Sequence, residues 1–159
     1  MKKLSLLVLF ALFLSCNGKA QDKKENEVFP ITKTEAEWKA QLTVLQYDVL
    51  RKAGTERAFS SELNKVYDQG TFVCAACNTL LFKSEHKFDS GTGWPSFDRE
   101  VEGNVSFSTD YNLGYARTEE HCSTCGGHLG HVFTDGPRET TGKRHCINGA
   151  ALVFVPENK

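Results

Sequence analysis

Polar and apolar positions change their rhythm near residue 70. Before it, apolar residues recur at helical spacing behind two capping signals. Thr34 and Glu37 have the T-x-x-E spacing of a capping box, with Trp38 and Leu42 as an apolar i,i+4 pair behind them. Thr43 and Gln46 repeat the signal, Leu45 and Val49 then share a face, and Gly54 can supply a left-handed C-terminal cap. Two short helices are predicted, the second ending near Ala53.

From Thr71 onward the chain consists of short runs rich in Val, Phe, Tyr and Thr, separated by Gly, Asn, Asp and Ser, which is how strands and turns read. Strands are predicted over residues 72–75, 105–109, 115–119 and 129–133. Residues 144–148 and 151–155 read as one or two central strands, with Gly149 as a break or bulge. A mainly β domain with an N-terminal helical flank follows, spanning residues 32–156. There is no internal repeat beyond two CxxC pairs.

The first residues follow another pattern. Lys2 and Lys3 precede an apolar stretch over 4–14, the charged and hydrophobic regions of a secretory signal, and the stretch is too short to span a bilayer. It stops at Leu12-Phe13-Leu14-Ser15-Cys16, which resembles a bacterial lipobox, although Phe13 departs from the usual Leu. In such a motif the cysteine becomes the lipidated first residue of the mature protein. The alternative is ordinary cleavage nearby, for instance after Ala20, which would discard Cys16. Residues 1–15 are therefore read as a signal peptide and 16–31 as a solvated tether. A lipid anchor at Cys16 would hold the exported protein on a membrane of the bacterial cell envelope, facing the periplasm or the exterior. Either route removes Cys16 from thiol chemistry.

At 159 residues and 40% hydrophobic composition the chain suits one globular domain with a real core. Loss of Lys2 and Lys3 leaves 17 basic against 20 acidic residues, a formal charge of -3. No basic run points to nucleic acid or another polyanionic partner.

Five cysteines remain. Two CxxC turns, Cys74/Cys77 and Cys122/Cys125, can offer four thiolates at tetrahedral corners, the arrangement that holds a borderline-soft cation such as zinc. Gly126 follows the second pair and Asn78 stands in the comparable place after the first, where a tight knuckle needs positive φ. The 44 residues between Cys77 and Cys122 do not exclude pairing, because closure entropy grows only logarithmically with loop length. The competing reading is two redox disulfides, which an exported chain permits. Against it, neither pair sits at a strand-to-helix junction of thioredoxin type. An open catalytic zinc fits less well, since four thiolates fill the coordination sphere. The favoured reading is one structural zinc on Cys74, Cys77, Cys122 and Cys125.

Cys146 is left over, either as a buried core cysteine or as a thiol in use. Strand alternation puts Arg144, Cys146 and Asn148 on one face, with His145 and Ile147 on the other. A cation and an amide beside a thiol would stabilise a thiolate. His128 and His131, three apart, fall on opposite faces of a regular strand unless Gly130 bulges it. Trp94, in the glycine-flanked run Gly91-Thr92-Gly93-Trp94-Pro95, is either core packing or a ligand wall. His86, His121 and His145 read as surface or structural residues.

Taken together, Gly54-Thr55-Glu56-Arg57, both CxxC pairs, Gly93-Trp94-Pro95-Ser96-Phe97, His128-Leu129-Gly130-His131-Val132-Phe133 and Arg144-His145-Cys146-Ile147-Asn148 follow one order. Over residues 37–155 the sequence resembles the B-type methionine-R-sulfoxide reductases. The resemblance implies a β-tent-like fold of two small antiparallel sheets, zinc on the CxxC pairs at the far side, and Cys146 as the nucleophile toward oxidised methionine in proteins or peptides. It implies His131 as proton donor with His128 nearby, Asn148 orienting substrate or water, and Trp94 walling a methyl pocket to which Phe133 adds apolar surface. Arg144 would either lower the thiol pKa or serve as a structural partner of Asp135 or another acid.

Attack would release methionine and leave a sulfenic acid on Cys146. Many family members carry a resolving cysteine in the Gly-Cys-Gly-Trp-Pro-Ser-Phe loop, where this chain has Thr92. The departure implies reduction by an external thioredoxin-like donor. Two rivals stand beside this reading: a non-catalytic zinc-binding interaction module on the same scaffold, and a zinc hydrolase. The presence of Cys146, His131 and Trp94 argues for the reductase.

Overall fold

In the computed structural model, which describes residues 28–157, both capping boxes close. The Thr34 hydroxyl accepts from the Glu37 N–H, and the Glu37 carboxylate accepts from the Thr34 N–H, at the start of α1 (Glu35–Gln41). Thr43 and Gln46 do the same for α2 (Val44–Lys52). Trp38, Leu42, Val49 and Leu50 are buried, which places the predicted apolar faces inward. The left-handed cap falls on Ala53 (φ 53) rather than Gly54. The reason is the closing hydrogen bond, in which Gly54 N–H reaches back to Asp48 O at 3.1 Å and requires the residue before it to turn.

The remainder forms two antiparallel sheets, as expected. The smaller has β1 (Gly70–Cys74) between β2 (Leu80–Lys83) and β9 (Leu152–Pro156). The larger comprises β3 (Lys87–Phe88), β4 (Ser96–Phe97), β5 (Val105–Asp110), β6 (Arg117–Cys122), β7 (His128–Phe133) and β8 (Arg144–Ile147), in the spatial order β3-β4-β8-β7-β6-β5. Phe72, Phe82 and Phe97 join the sheets in one core, with ring centroids 5.0 Å apart for Phe72 and Phe97 and 4.4 Å for the stacked Phe82 and Phe97.

Three expectations shift. The strand predicted over 115–119 forms at Arg117–Cys122, because Tyr115 lies exposed in the preceding turn and the pairing with β5 continues to Cys122. The C-terminal run divides between the sheets: β8 is central in the larger, whereas β9 is an edge of the smaller. The chain crosses between them in the turn over Gly149–Ala151. Residues 29–31, read as the end of the tether, pack on the domain: Ile31 N–H donates to Thr124 O at 2.8 Å and the Phe29 ring meets His121 edge-on. The signal peptide and Cys16 lie outside the described residues. No helix among the described residues is long and apolar enough to cross a membrane.

The β6–β7 register contains the irregularity that the histidine spacing demanded. Glu120 pairs with Gly130 and His121 with His128, so Leu129 is the extra residue of a bulge. The bulge turns His128 and His131 to one side, their ring centroids 5.5 Å apart. Gly130 beside it lets β8 approach closely: a Cβ there would lie 2.0 Å from the Cys146 carbonyl oxygen. Replacement Gly130→Ala therefore pushes β7 from β8. It is expected to destabilise the protein by about 3 kcal/mol, read as a lowered urea midpoint at unchanged slope.

Candidate active site

Cys146 sits on β8 with His131 of β7 opposite it in register and Ser96 of β4 on its other side. Both flanking strands belong to one sheet, so the thiol and the imidazole are presented by rigid backbone. They open into a cleft of about 130 Å³, whose walls include Trp94, Phe133, Arg117 and Thr55. Asn148 lines the same cleft.

Glu56 assembles these parts. Its carboxylate is buried and accepts from the Gly149 N–H at 2.6 Å and the Ala150 N–H at 2.9 Å. Its own N–H donates to Asn148 Oδ1 at 3.0 Å, and its carbonyl accepts from Trp94 Nε1 at 3.1 Å. Asn148 Nδ2 donates in turn to Leu129 O at 3.0 Å. The Asn148 amide is thus committed to the framework on both ends, with its second N–H and remaining lone pair left for a ligand.

The histidines are each oriented by a carboxylate. His128 Nδ1 lies 2.7 Å from Glu119 Oε1, and His131 Nε2 lies 2.8 Å from Asp110 Oδ2. Asp110 also pairs with Arg117, its partner across the β5–β6 register. The backbone N–H of Asn112, reinforced by His131 and Arg117, holds the Asp110 carboxyl down near about 2. Asp110 is therefore an acceptor at any neutral pH, so the Nε2 facing it carries the proton and the neutral ring keeps its lone pair on Nδ1. Burial lowers the His131 pKa below its ordinary 6.5, outweighing the upward pull of Asp110.

Arg144 pairs with Asp135. Nε and Nη2 each donate to Asp135 at 2.9 Å, a bidentate pair, and the guanidinium lies over the Phe133 ring. Its charge also favours the Cys146 thiolate, yet burial dominates and the thiol pKa is raised above 9.0. At neutral pH the resting site holds a thiol and an uncharged imidazole.

Thr92 occupies the position suspected from the loop motif: its hydroxyl lies 4.0 Å from Cys146 Sγ. Behind it, Ser90 shares hydrogen bonds with Thr92 at 2.8 Å and Ser96 at 2.7 Å. Among the described residues no second thiol lines the cleft.

The other four described cysteines gather at a separate place. Cys74, Cys77, Cys122 and Cys125 present sulfurs within 4.8 Å of one another and could hold a metal ion. The two knuckles are twins: Asn78 (φ 60) and Gly126 (φ 67) turn back so that their N–H groups donate to Cys74 O and Cys122 O, each at 2.8 Å. Sulfurs approach one another across the pairs, 3.8 Å for Cys74 to Cys125 and 3.5 Å for Cys77 to Cys122. Two independent redox pairs have no need of that convergence, whereas one shared cation does.

A family model described as the SelR domain matches residues 42–156. The chain belongs to the SelR family. Similar proteins include the peptide methionine sulfoxide reductase MsrB of Leptospira interrogans, 52% identical over 130 residues, covering 81% of this chain and 98% of that one. The protein of the same name from Burkholderia cenocepacia is 48% identical over 138 residues, 85% of this chain and 96% of the relative. The mouse methionine-R-sulfoxide reductase B3, mitochondrial, is 47% identical over 141 residues, 88% of this chain and 54% of its own length. The family anticipated from the motif order is the family found.

Within this SelR domain, Asp110, Arg117, Glu119 and Glu56 went unassigned in the sequence reading. One signal was present: Arg117, Glu119 and Glu120 crowd a short predicted strand with charges on both faces, which requires polar partners on both sides. Glu120 bonds the fully buried His145 at 2.6 Å, and Glu100 approaches His145 from its other nitrogen at 3.1 Å. His145 is therefore structural.

Two substitutions separate these roles. Asp110→Asn removes the charge that supports His131, so the His131 titration followed by NMR is expected to move further down, and single-turnover reduction to fall by about tenfold to a hundredfold. Glu56→Gln puts an N–H against backbone N–H groups and is expected to cost about 2 kcal/mol of stability in urea titrations, with Trp94 fluorescence altered in the folded state.

Proposed function

We propose that this protein reduces the R epimer of methionine sulfoxide in polypeptides, with Cys146 as nucleophile and an external thioredoxin-like dithiol as electron donor. The observation that carries the reading is Cys146 opposite His131 in a cleft walled by Trp94, with every other described thiol in a separate cluster.

The reaction needs one proton and one sulfur nucleophile, and the resting site holds both. The sulfoxide methyl seats against Trp94 and Phe133. Nδ1 of His131 takes the thiol proton as Cys146 Sγ attacks, and delivers it to the sulfoxide oxygen. The sulfur–oxygen bond of the substrate breaks and the hydroxyl ends on Sγ. Methionine gains two electrons, and Cys146 loses two and becomes a sulfenic acid. No proton enters or leaves overall. A donor thiol then displaces water from the sulfenic acid to give a mixed disulfide, and the donor's second thiol releases Cys146. Thr92 near Sγ supplies no sulfur for an internal disulfide.

The cluster of Cys74, Cys77, Cys122 and Cys125 is read as a structural zinc site. Its cross-pair separations of 3.5 and 3.8 Å fit the edge of a tetrahedron with metal–sulfur bonds of about 2.3 Å. Bound there, the ion would tie the ends of β1 and β6 together and offset half the charge of four crowded thiolates. The N-terminal signal supports export and lipid anchoring at Cys16, which would place the activity on oxidised proteins of the cell envelope.

Reduced protein given separated epimers in one turnover, without donor, is expected to convert the R sulfoxide alone. Dimedone should then trap a sulfenate on Cys146. An internal disulfide in its place, or equal turnover of both epimers, overturns the reading. The thiolate absorbance of the reduced protein, taken as the difference from Cys146→Ser, should rise with a midpoint above 9, since burial holds the thiol protonated. Cys146→Ser should retain about one equivalent of zinc while losing turnover, which distinguishes the reductase from a zinc hydrolase.

A further inference from the structure

Trp94 divides two cavities. One is the Cys146 cleft; beside it lies a groove of about 240 Å³ whose lining includes Phe59, Tyr67, Phe88 and Gly93, with Lys87 and Asp89 as charged neighbours. Phe59 is 72% exposed, yet its backbone is held at φ 63, a left-handed conformation that an aromatic residue rarely adopts. The surroundings enforce it. Phe59 N–H donates to Gly93 O at 2.7 Å, and Asn64 Nδ2 donates to the same carbonyl at 2.6 Å. The ring lies so near Gly93 that a Cβ there would be 2.8 Å from it.

The opposite wall is fixed as well. Lys87 Nζ donates to Asn64 O at 2.9 Å and lies 3.8 Å from the centroid of the half-exposed Tyr67 ring. A ring that is strained and still faces water gives the fold little burial in return. Such strain is characteristic of a surface kept for a ligand.

The groove's size and position identify the occupant. It is smaller than the roughly 300–1,000 Å³ of a site for a free small molecule, and so suits one or two side chains. It borders the catalytic cleft across Trp94, which lines both. A methionine sulfoxide seated against one side of Trp94 in an extended chain carries its sequence neighbours past the other. We propose that the Phe59–Tyr67 groove binds an apolar side chain next to the oxidised methionine of a polypeptide substrate, and so sets sequence preference. The proposal rests on the reductase reading above.

The test uses three R-sulfoxide probes in single turnover on reduced protein: the capped single residue, a hexapeptide with leucine on both sides of the sulfoxide, and one with serine there. The native protein is expected to favour the leucine peptide over the serine peptide by about tenfold in the single-turnover rate at low peptide concentration. Phe59→Gly removes the ring while accepting positive φ without strain, and Tyr67→Ser removes the other wall. Each should abolish the preference and leave the capped residue's rate unchanged. Equal rates for the two peptides in the native protein, or a preference that survives both substitutions, overturns the proposal. So does an effect confined to multiple turnover, which would assign the groove to the reductant. Failure of the native protein on all three probes brings down the reductase reading, and the groove with it.

Discussion

The buried carboxylate of Glu56 is the constraint on which the site depends. It accepts two backbone N–H groups in the turn that carries the chain from β8 to β9, while its own peptide group holds Asn148 and Trp94. These contacts join residues 38 to 94 positions apart. A buried charge without hydrogen bonds is far costlier than one that is fully bonded, so the set forms together or is lost together. Trp94, Asn148 and the end of β8 consequently reach their positions as one unit, and the cleft is shaped before a ligand enters.

What could be read from sequence divides along the range of the interactions. Both capping boxes and the paired CxxC turns with Asn78 and Gly126 behind them are local, and local chemistry specifies them. The histidine spacing posed a definite question, whether β7 bulges, and Leu129 answers it. The partner of His131 was beyond reach, since Asp110 is 21 residues away, whereas Asp135 was already a candidate partner of Arg144 from sequence and is the acid it pairs with. Strands β3 and β4 are two residues each, too short for any alternation to register. Their role is nonetheless central, because β4 is what lies beside Cys146.

Electrostatics was legible in kind but not in sign. A cation near a thiol suggested a stabilised thiolate, and Arg144 does pull in that direction. Its guanidinium, however, is already paired with Asp135, and the sulfur is largely withdrawn from water. Desolvation wins at Cys146, and it also wins at His131 despite the Asp110 carboxylate. The two shifts run in opposite directions in pKa and in the same direction in charge: both groups rest neutral.

That outcome bears on the missing resolving cysteine. On the proposed reading, with the protein exported and Cys146 its one catalytic sulfur, an exposed thiolate would be open to adventitious oxidation and would have no internal disulfide in which to shelter the product. Partial burial, which favours the Cys146 thiol, would on that reading keep it inactive until a sulfoxide oxygen arrives to take the proton. Thr92 then has a consistent place, since its hydroxyl and those of Ser90 and Ser96 form a polar wall beside Sγ where a second sulfur would compete for the sulfenic acid.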